Sequence, residues 1–190
     1  LSIKMRLGLF EKPYVTEEEM HRYDTLPEEH LAHALKTAEK SIVLLKNEGN
    51  LLPLKKEQNI SLIGALAAMP EEVLGSWAMS GRAKDCVSIY QGLVNAGADM
   101  EYFPCCAPDG EINQAEVAVV GEYASMSGEA SSRADITLPG KQRELLKMLL
   151  DSGKPVITLL MNGRPLALAW EAEHLPAIVE CWHLGIQMGN

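Results

Sequence analysis

Short apolar runs alternate with stretches of helical spacing along most of this chain. NISLIGALA (59–67) reads as a buried strand ending at Gly64, and ADMEYF (98–103) as a strand closed by Pro104. AEVAVV (115–120) is a near-continuous apolar run ending at Gly121. KPVITLLM (154–161) and PAIVECW (176–182) are further strands, each with a proline at its start. Between them, DCVSIYQGLVNAG (85–97) and PGKQRELLKMLL (139–150) carry the spacing of amphipathic helices. Upstream, Leu31, Ala34, Leu35, Ala38, Ile42 and Leu45 form one stripe of a helix that starts after Pro27 and stops at Asn47, Gly49 and Asn50. Apolar strands separated by single helices predict an α/β fold, a three-layer α/β/α sandwich around a mostly parallel sheet covered on both faces.

Residues 1–26 break this rhythm. SIKMRLGLF reads as the last helical turns of something preceding, and the acidic, proline-punctuated stretch after it reads as a linker over a surface. The predicted organisation is therefore a leading segment, 1–26, and an α/β domain, 27–190. The chain begins at Leu1 and not Met, which suggests a piece of a longer protein.

In parallel sheets, sites form at the carboxyl ends of the strands. Four segments should meet there: the loop after the 59–64 strand, loop 121–133, MNGRP (161–165) and CWHLGIQMGN (181–190). Loop 121–133, GEYASMSGEASSR, is a long strand-to-helix connector, since such loops usually have about 2–6 residues.

Composition narrows the function. The chain has 190 residues, 47% hydrophobic and 23% charged, a balance that permits one substantial core. Net charge is −9 with no Lys/Arg stripe, which argues against nucleic acid and anionic membrane as partners. No apolar stretch approaches a membrane span, and no signal peptide is visible. The four cysteines, at 86, 105, 106 and 181, form no CxxC pair and read as buried free thiols. His30 and His33 lack zincin spacing, so no metal is assigned. GxGxxG after a strand, GxxxxGK[ST] and GxSxG are all missing, which leaves dinucleotide, NTP and serine-hydrolase chemistry, or a flavodoxin-like binder, without a local motif; no cofactor is expected.

Loop 121–133 carries two carboxylates. Glu122 follows the strand directly and is expected to be anchored at the sheet edge. Glu129, between Gly128 and Ala130, has reach and little bulk around it, which suits a carboxyl that projects toward a substrate. Arg133 either tethers the loop through a salt bridge or contacts substrate. Trp77, in GSWAMSG (75–81), is either a packing residue or a wall of a ligand site. In NGRPL, Asn162 and Gly163 make a turn and Arg164 is expected to pin backbone carbonyls or a carboxylate.

KSIVLLKNEGNLLPL (40–54) resembles the entry to the second domain of glycoside hydrolase family 3, the β-glucosidase/β-xylosidase group. The likeness continues through GSWAMSG, GEYASMSGEASSRADITLPGKQRELL (121–146), GKPVITLLMNGRPLAL (153–168) and PAIVECWHLGIQMGN (176–190). RLGLFEKPY (6–14) resembles the close of that family's preceding (β/α)₈ barrel and the linker leaving it. The resemblance implies a retaining hydrolase of β-linked glucosides or related sugars. Its nucleophile is an aspartate on the barrel and its acid/base a glutamate on the loop matching 121–133, a role that falls on Glu129. Trp77 and Arg133 are then candidate substrate-binding residues, although the second Trp that some relatives carry is replaced here by AMSGR (78–82). It further implies a barrel of the same polypeptide as partner, a periplasmic or secreted parent, and a C-terminal strand and helix beyond residue 190. A fragment without the barrel is expected to be inactive and, with its barrel-facing surface uncovered, to self-associate. The rival reading is a non-catalytic carbohydrate-binding or scaffold domain in which the loop only shapes an interface.

Overall fold

A computed structural model describes residues 1–22, 24–105 and 115–190. The chain divides into two compact units, Leu1–His33 and Ala34–Asn190.

The first unit holds helices α1 (Ser2–Arg6) and α2 (Glu17–His21) and the start of α3 (Glu28–Ser41). Helix α2 lies inside the stretch read as linker. It begins with a capping box: the Glu19 backbone N–H donates to Thr16 Oγ1 at 3.2 Å, and the Thr16 N–H donates to Glu19 Oε2 at 2.8 Å. Leu1, Ile3, Met5, Leu7, Phe10 and Tyr14 are exposed.

In the second unit, six strands among the described residues form one sheet: β1 (Val43–Asn47), β2 (Ile60–Ile63), β3 (Met100–Phe103), β4 (Ala115–Gly121), β5 (Val156–Met161) and β6 (Ala177–Glu180). Their order is β1-β6-β5-β4-β2-β3, with every pairing parallel except β1 with β6. Successive residues of β4 face opposite layers. Val117 and Val119 pack with Leu66, Val73, Ile89 and Met188 on the side of α4 (Ile89–Asn95). Ala118 and Val120 pack with Leu146 and Leu149 of α5 (Gln142–Asp151) and with Trp170 of α6 (Ala169–His174). Both faces are thus covered, and the predicted α/β/α sandwich is what the chain forms. Burying each Leu, Ile or Val side chain in these two layers is worth about 1.5–3 kcal/mol.

The strands expected from apolar runs all form: β4 extends one residue further, to Gly121, and the other four are shorter by two to five residues. One helix was read too far. The stripe from Leu31 to Leu45 predicts helix up to Asn47, but α3 ends at Ser41 and Val43–Asn47 is the antiparallel edge strand β1. The β-branched pair Ile42–Val43 favours extended backbone. Trp182 Nε1 donates to the Ser41 carbonyl at 3.1 Å, capping the helix where the chain turns into the sheet. Asn47 then closes the strand, its side chain exchanging two 3.0 Å hydrogen bonds with the Leu52 backbone. Cys181 is buried, Cys86 half-buried and Cys105 exposed, so only Cys181 meets the expectation of a buried thiol; Cys106 lies outside the described residues. Burial pushes the Cys181 thiol up to about 12. Among the described residues, no helix is long and apolar enough to cross a membrane, and no group of three or more His, Cys, Asp and Glu could hold a metal ion.

Candidate functional site

Loop 121–133 leaves the carboxyl end of β4, beside the carboxyl end of β5. The sheet ladder runs one residue past the strand, since the Glu122 N–H donates to the Met161 carbonyl at 2.8 Å. That bond turns the Glu122 side chain into the protein, where it is fully buried. An isolated carboxylate there would be costly. Two arginines compensate it: Arg133 Nη1 donates to Glu122 Oε1, and Arg164 Nε lies 3.1 and 3.2 Å from the two carboxylate oxygens. Glu122 is therefore anchored at the sheet edge, as its place in the sequence suggests.

Beyond Glu122 the chain makes a short 3-10 turn, Ala124–Met126. The Ala124 N–H donates to Glu72 Oε2 at 2.5 Å, tying the turn to the segment that follows β2. Ser131 folds back, its hydroxyl donating to the Ser125 carbonyl at 3.2 Å and its N–H to the Gly128 carbonyl at 3.3 Å. Glu129 sits at the tip of this closed loop with its side chain exposed. Among the described residues it has no salt-bridge partner.

Glu129 lines a cavity of about 500 Å³ together with Trp77, Ser76, Ser125, Ser127 and Ser131. Trp77 is 65% exposed, so its ring is available at the cavity wall and is not packed into the core. Two close approaches make the arrangement possible. A Cβ on Gly128 would stand 2.7 Å from Ser76 Oγ, and one on Gly163 would collide with Ser127. Gly75 in turn lies against the His183 side chain. The four segments expected at the carboxyl edge of the sheet do meet there, and the structure brings Glu129 and Trp77 into one cavity.

Arg133 stands apart from that cavity's lining. Its guanidinium holds Glu122 and the Thr137 carbonyl, the latter at 3.1 Å. The tethering option left open by the sequence is thus observed. Arg164 matches its expected behaviour, holding a carboxylate and backbone carbonyls: besides Glu122 it donates through Nη2 to Ser131 O at 2.8 Å and to Met126 O.

Sequence reasoning did not find Glu72, His183, Asn162 as a buried hydrogen-bonding hub, or Glu180. Asn162 Nδ2 donates to the Arg164 carbonyl at 2.8 Å and to Glu180 Oε2 at 3.2 Å. Burial raises the Glu180 pKa against the lowering effect of the Trp182 N–H and Asn162. Burial lowers that of His183, opposed by Glu72 and Glu122. Asn162 and His183 lie just past strand ends and Glu180 at the end of β6, which is the sequence signal they offered; Glu72, in a 3-10 turn nine residues beyond β2, offered none.

The family model described as the glycosyl hydrolase family 3 C-terminal domain matches residues 42–190. The chain is 36% identical to a periplasmic beta-glucosidase of Salmonella typhimurium, over all of this chain and 30% of that protein. It is also 36% identical to a beta-xylosidase of Formosa agariphila, over all of this chain and 29% of that one. Among solved structures, a beta-glucosidase from Listeria innocua in complex with isofagomine superposes with a TM-score of 0.87 at 35% identity, covering 99% of this chain and 28% of that one. The chain thus spans under a third of the length of these relatives. With its sheet order, its loop and 149 consecutive residues matched, the chain belongs to glycosyl hydrolase family 3, of which residues 42–190 are a C-terminal domain.

Proposed function

We propose that this chain supplies the acid/base loop of a retaining β-glycosidase, completing an active site on a barrel domain of the same polypeptide. Residues 1–26 are then the end of that barrel and the linker from it, and residues 27–190 the sandwich domain. The observation that carries the reading is the contrast on one loop: Glu122 is buried between two arginines, while Glu129 is exposed beside Trp77 in an open cavity.

In this mechanism the nucleophilic carboxylate of the barrel attacks the anomeric carbon as Glu129 gives its proton to the departing glycosidic oxygen. Glu129 then takes a proton from the water that cleaves the glycosyl-enzyme. The two carboxyls must lie about 5–5.5 Å apart, so the loop has to reach the barrel. Exclusion of water and a neighbouring carboxylate both favour the protonated form that a general acid needs. Trp77 forms a wall of the substrate site, and Arg133 fixes the loop's base through Glu122 and the Thr137 carbonyl. The substrate class is terminal β-linked glucosides or xylosides, which the names of the relatives support. A periplasmic or secreted location follows the Salmonella relative.

In the full-length protein, Glu129→Ala should lower turnover of poorly activated β-glycosides by roughly 10²–10⁴-fold. Azide should restore turnover of an activated aryl glycoside and yield a β-glycosyl azide. Full activity in the variant, or loss without rescue, would favour the scaffold reading instead.

A further inference from the structure

The NGRPL segment leaves β5 with no direct part in the chemistry above, yet its arginine reaches across to the loop that carries Glu129. Arg164 Nη2 donates to the carbonyls of Met126 and Ser131, which bracket the tip of the loop on either side of Glu129. Its Nε meanwhile holds Glu122, at the loop's root. A single planar group thus joins root and both flanks, a geometry that the fixed fork of a guanidinium can satisfy and a lysine ammonium cannot.

The anchor behind it is firm. Asn162, wholly buried, bonds the backbone carbonyl of Arg164 and is itself bonded to Glu180 at the end of β6. A second observation concerns Ala130, the residue after Glu129. It has φ +60°, a left-handed conformation that is strained for a non-glycine residue and persists only where its surroundings dictate it. The bonds to the carbonyls at 126 and 131 close the loop around that residue.

We infer that Arg164 is a positioning residue, holding the backbone on both sides of Glu129 so that its carboxyl projects toward the leaving-group oxygen. The inference rests on the acid/base reading of Glu129 and adds a dependence of that role on a residue of another loop. A displacement of about 1 Å in such a group can cost roughly a hundredfold in rate.

The test uses the full-length protein, with Arg164→Ala, Arg164→Lys and Glu129→Ala measured together. Two substrates are compared: an alkyl β-glycoside, whose departure needs a proton, and the 2,4-dinitrophenyl glycoside, whose departure does not. The expected result is that both Arg164 variants lower kcat/KM for the alkyl glycoside by roughly a hundredfold and leave the dinitrophenyl glycoside nearly unchanged, as Glu129→Ala does. If Arg164→Ala does not fold, Arg164→Lys, which keeps the charge, carries the same comparison. Equal losses on both substrates, or no loss on either, in a background where Glu129→Ala shows the leaving-group dependence would overturn the positioning role alone. If Glu129→Ala itself shows no such dependence, the acid/base reading falls and the inference with it.

Discussion

Glu122 and Glu129 share a functional group and a loop, and their fates differ because of where the backbone aims them. The ladder bond from the Glu122 N–H to the Met161 carbonyl turns Glu122 inward, and Arg133 and Arg164, both largely buried themselves, make that position tolerable. Removing one partner of a buried ion pair leaves the remaining charges uncompensated and costs about 3–5 kcal/mol. Glu122→Ala should therefore lower the urea midpoint by that equivalent. Glu129→Gln, at an exposed loop tip, should shift it by less than about 0.5 kcal/mol. Similar shifts for the two variants would contradict the division of labour between them. Cys181 gives a simpler expectation at the same scale. With its thiol at about 12 and its side chain buried, it should stay unreactive to iodoacetamide in the folded chain and become labelled on unfolding.

At the scale of elements, strands β4 and β5 were legible because their runs of Val, Ile and Leu are buried on both faces and need no partner to be recognised. Strand β1 was not, since the apolar spacing of α3 continues through it by coincidence, and the partner that makes it a strand, β6, lies far along the sequence. Helix α6 also escaped notice. It has six residues and no side-chain cap, and it is held by tertiary contacts: Arg143 Nε to the buried Glu171 at 2.8 Å, and Lys147 over the Trp170 ring. The loop carrying Glu129 could be located from composition, and Arg133 could be named as a tether and Arg164 as a pin for carbonyls or a carboxylate, but their shared acceptor, Glu122, could not, because it is set by packing. Strand β4 also carries a cost. Glu116 is buried, with Lys154 Nζ 3.7 Å from Oε1, and burial raises its pKa more than Lys154 and Ser152 lower it. A carboxyl whose pKa is higher folded than unfolded favours the fold when protonated. Stability is then lost as pH rises from the ordinary carboxylate range to the raised value, with a slope of at most about 1.4 kcal/mol per pH unit. Glu116→Gln should flatten this part of the pH–stability curve, leaving the same-signed contribution of Glu180. An unchanged slope in the glutamine variant would show that Glu116 does not carry it.

For the whole molecule, the proposed mechanism has a direct consequence: a general acid without its nucleophile does no glycoside chemistry. Among the described residues, Glu129 is the one carboxylate lining the cavity beside Trp77: Glu122 is committed to two arginines, and Glu72 to the Ala124 N–H. The purified 190-residue chain should therefore show no turnover of an aryl β-glucoside above a Glu129→Gln control. Its surface adds a physical consequence. Leu1, Ile3, Met5, Leu7 and Phe10 in the first unit, and Trp77 and Met79 in the second, are apolar side chains left to solvent. Within either unit, exposed apolar side chains of this kind are usually covered by a partner. Sedimentation should accordingly show concentration-dependent self-association of the isolated chain, and a full-length protein should show none through these residues if the proposed barrel covers them. A chain that stays monomeric at high concentration would mean that neither unit's exposed apolar side chains dock a partner. Turnover by that same chain would place the nucleophile within residues 1–190 and overturn the two-module mechanism.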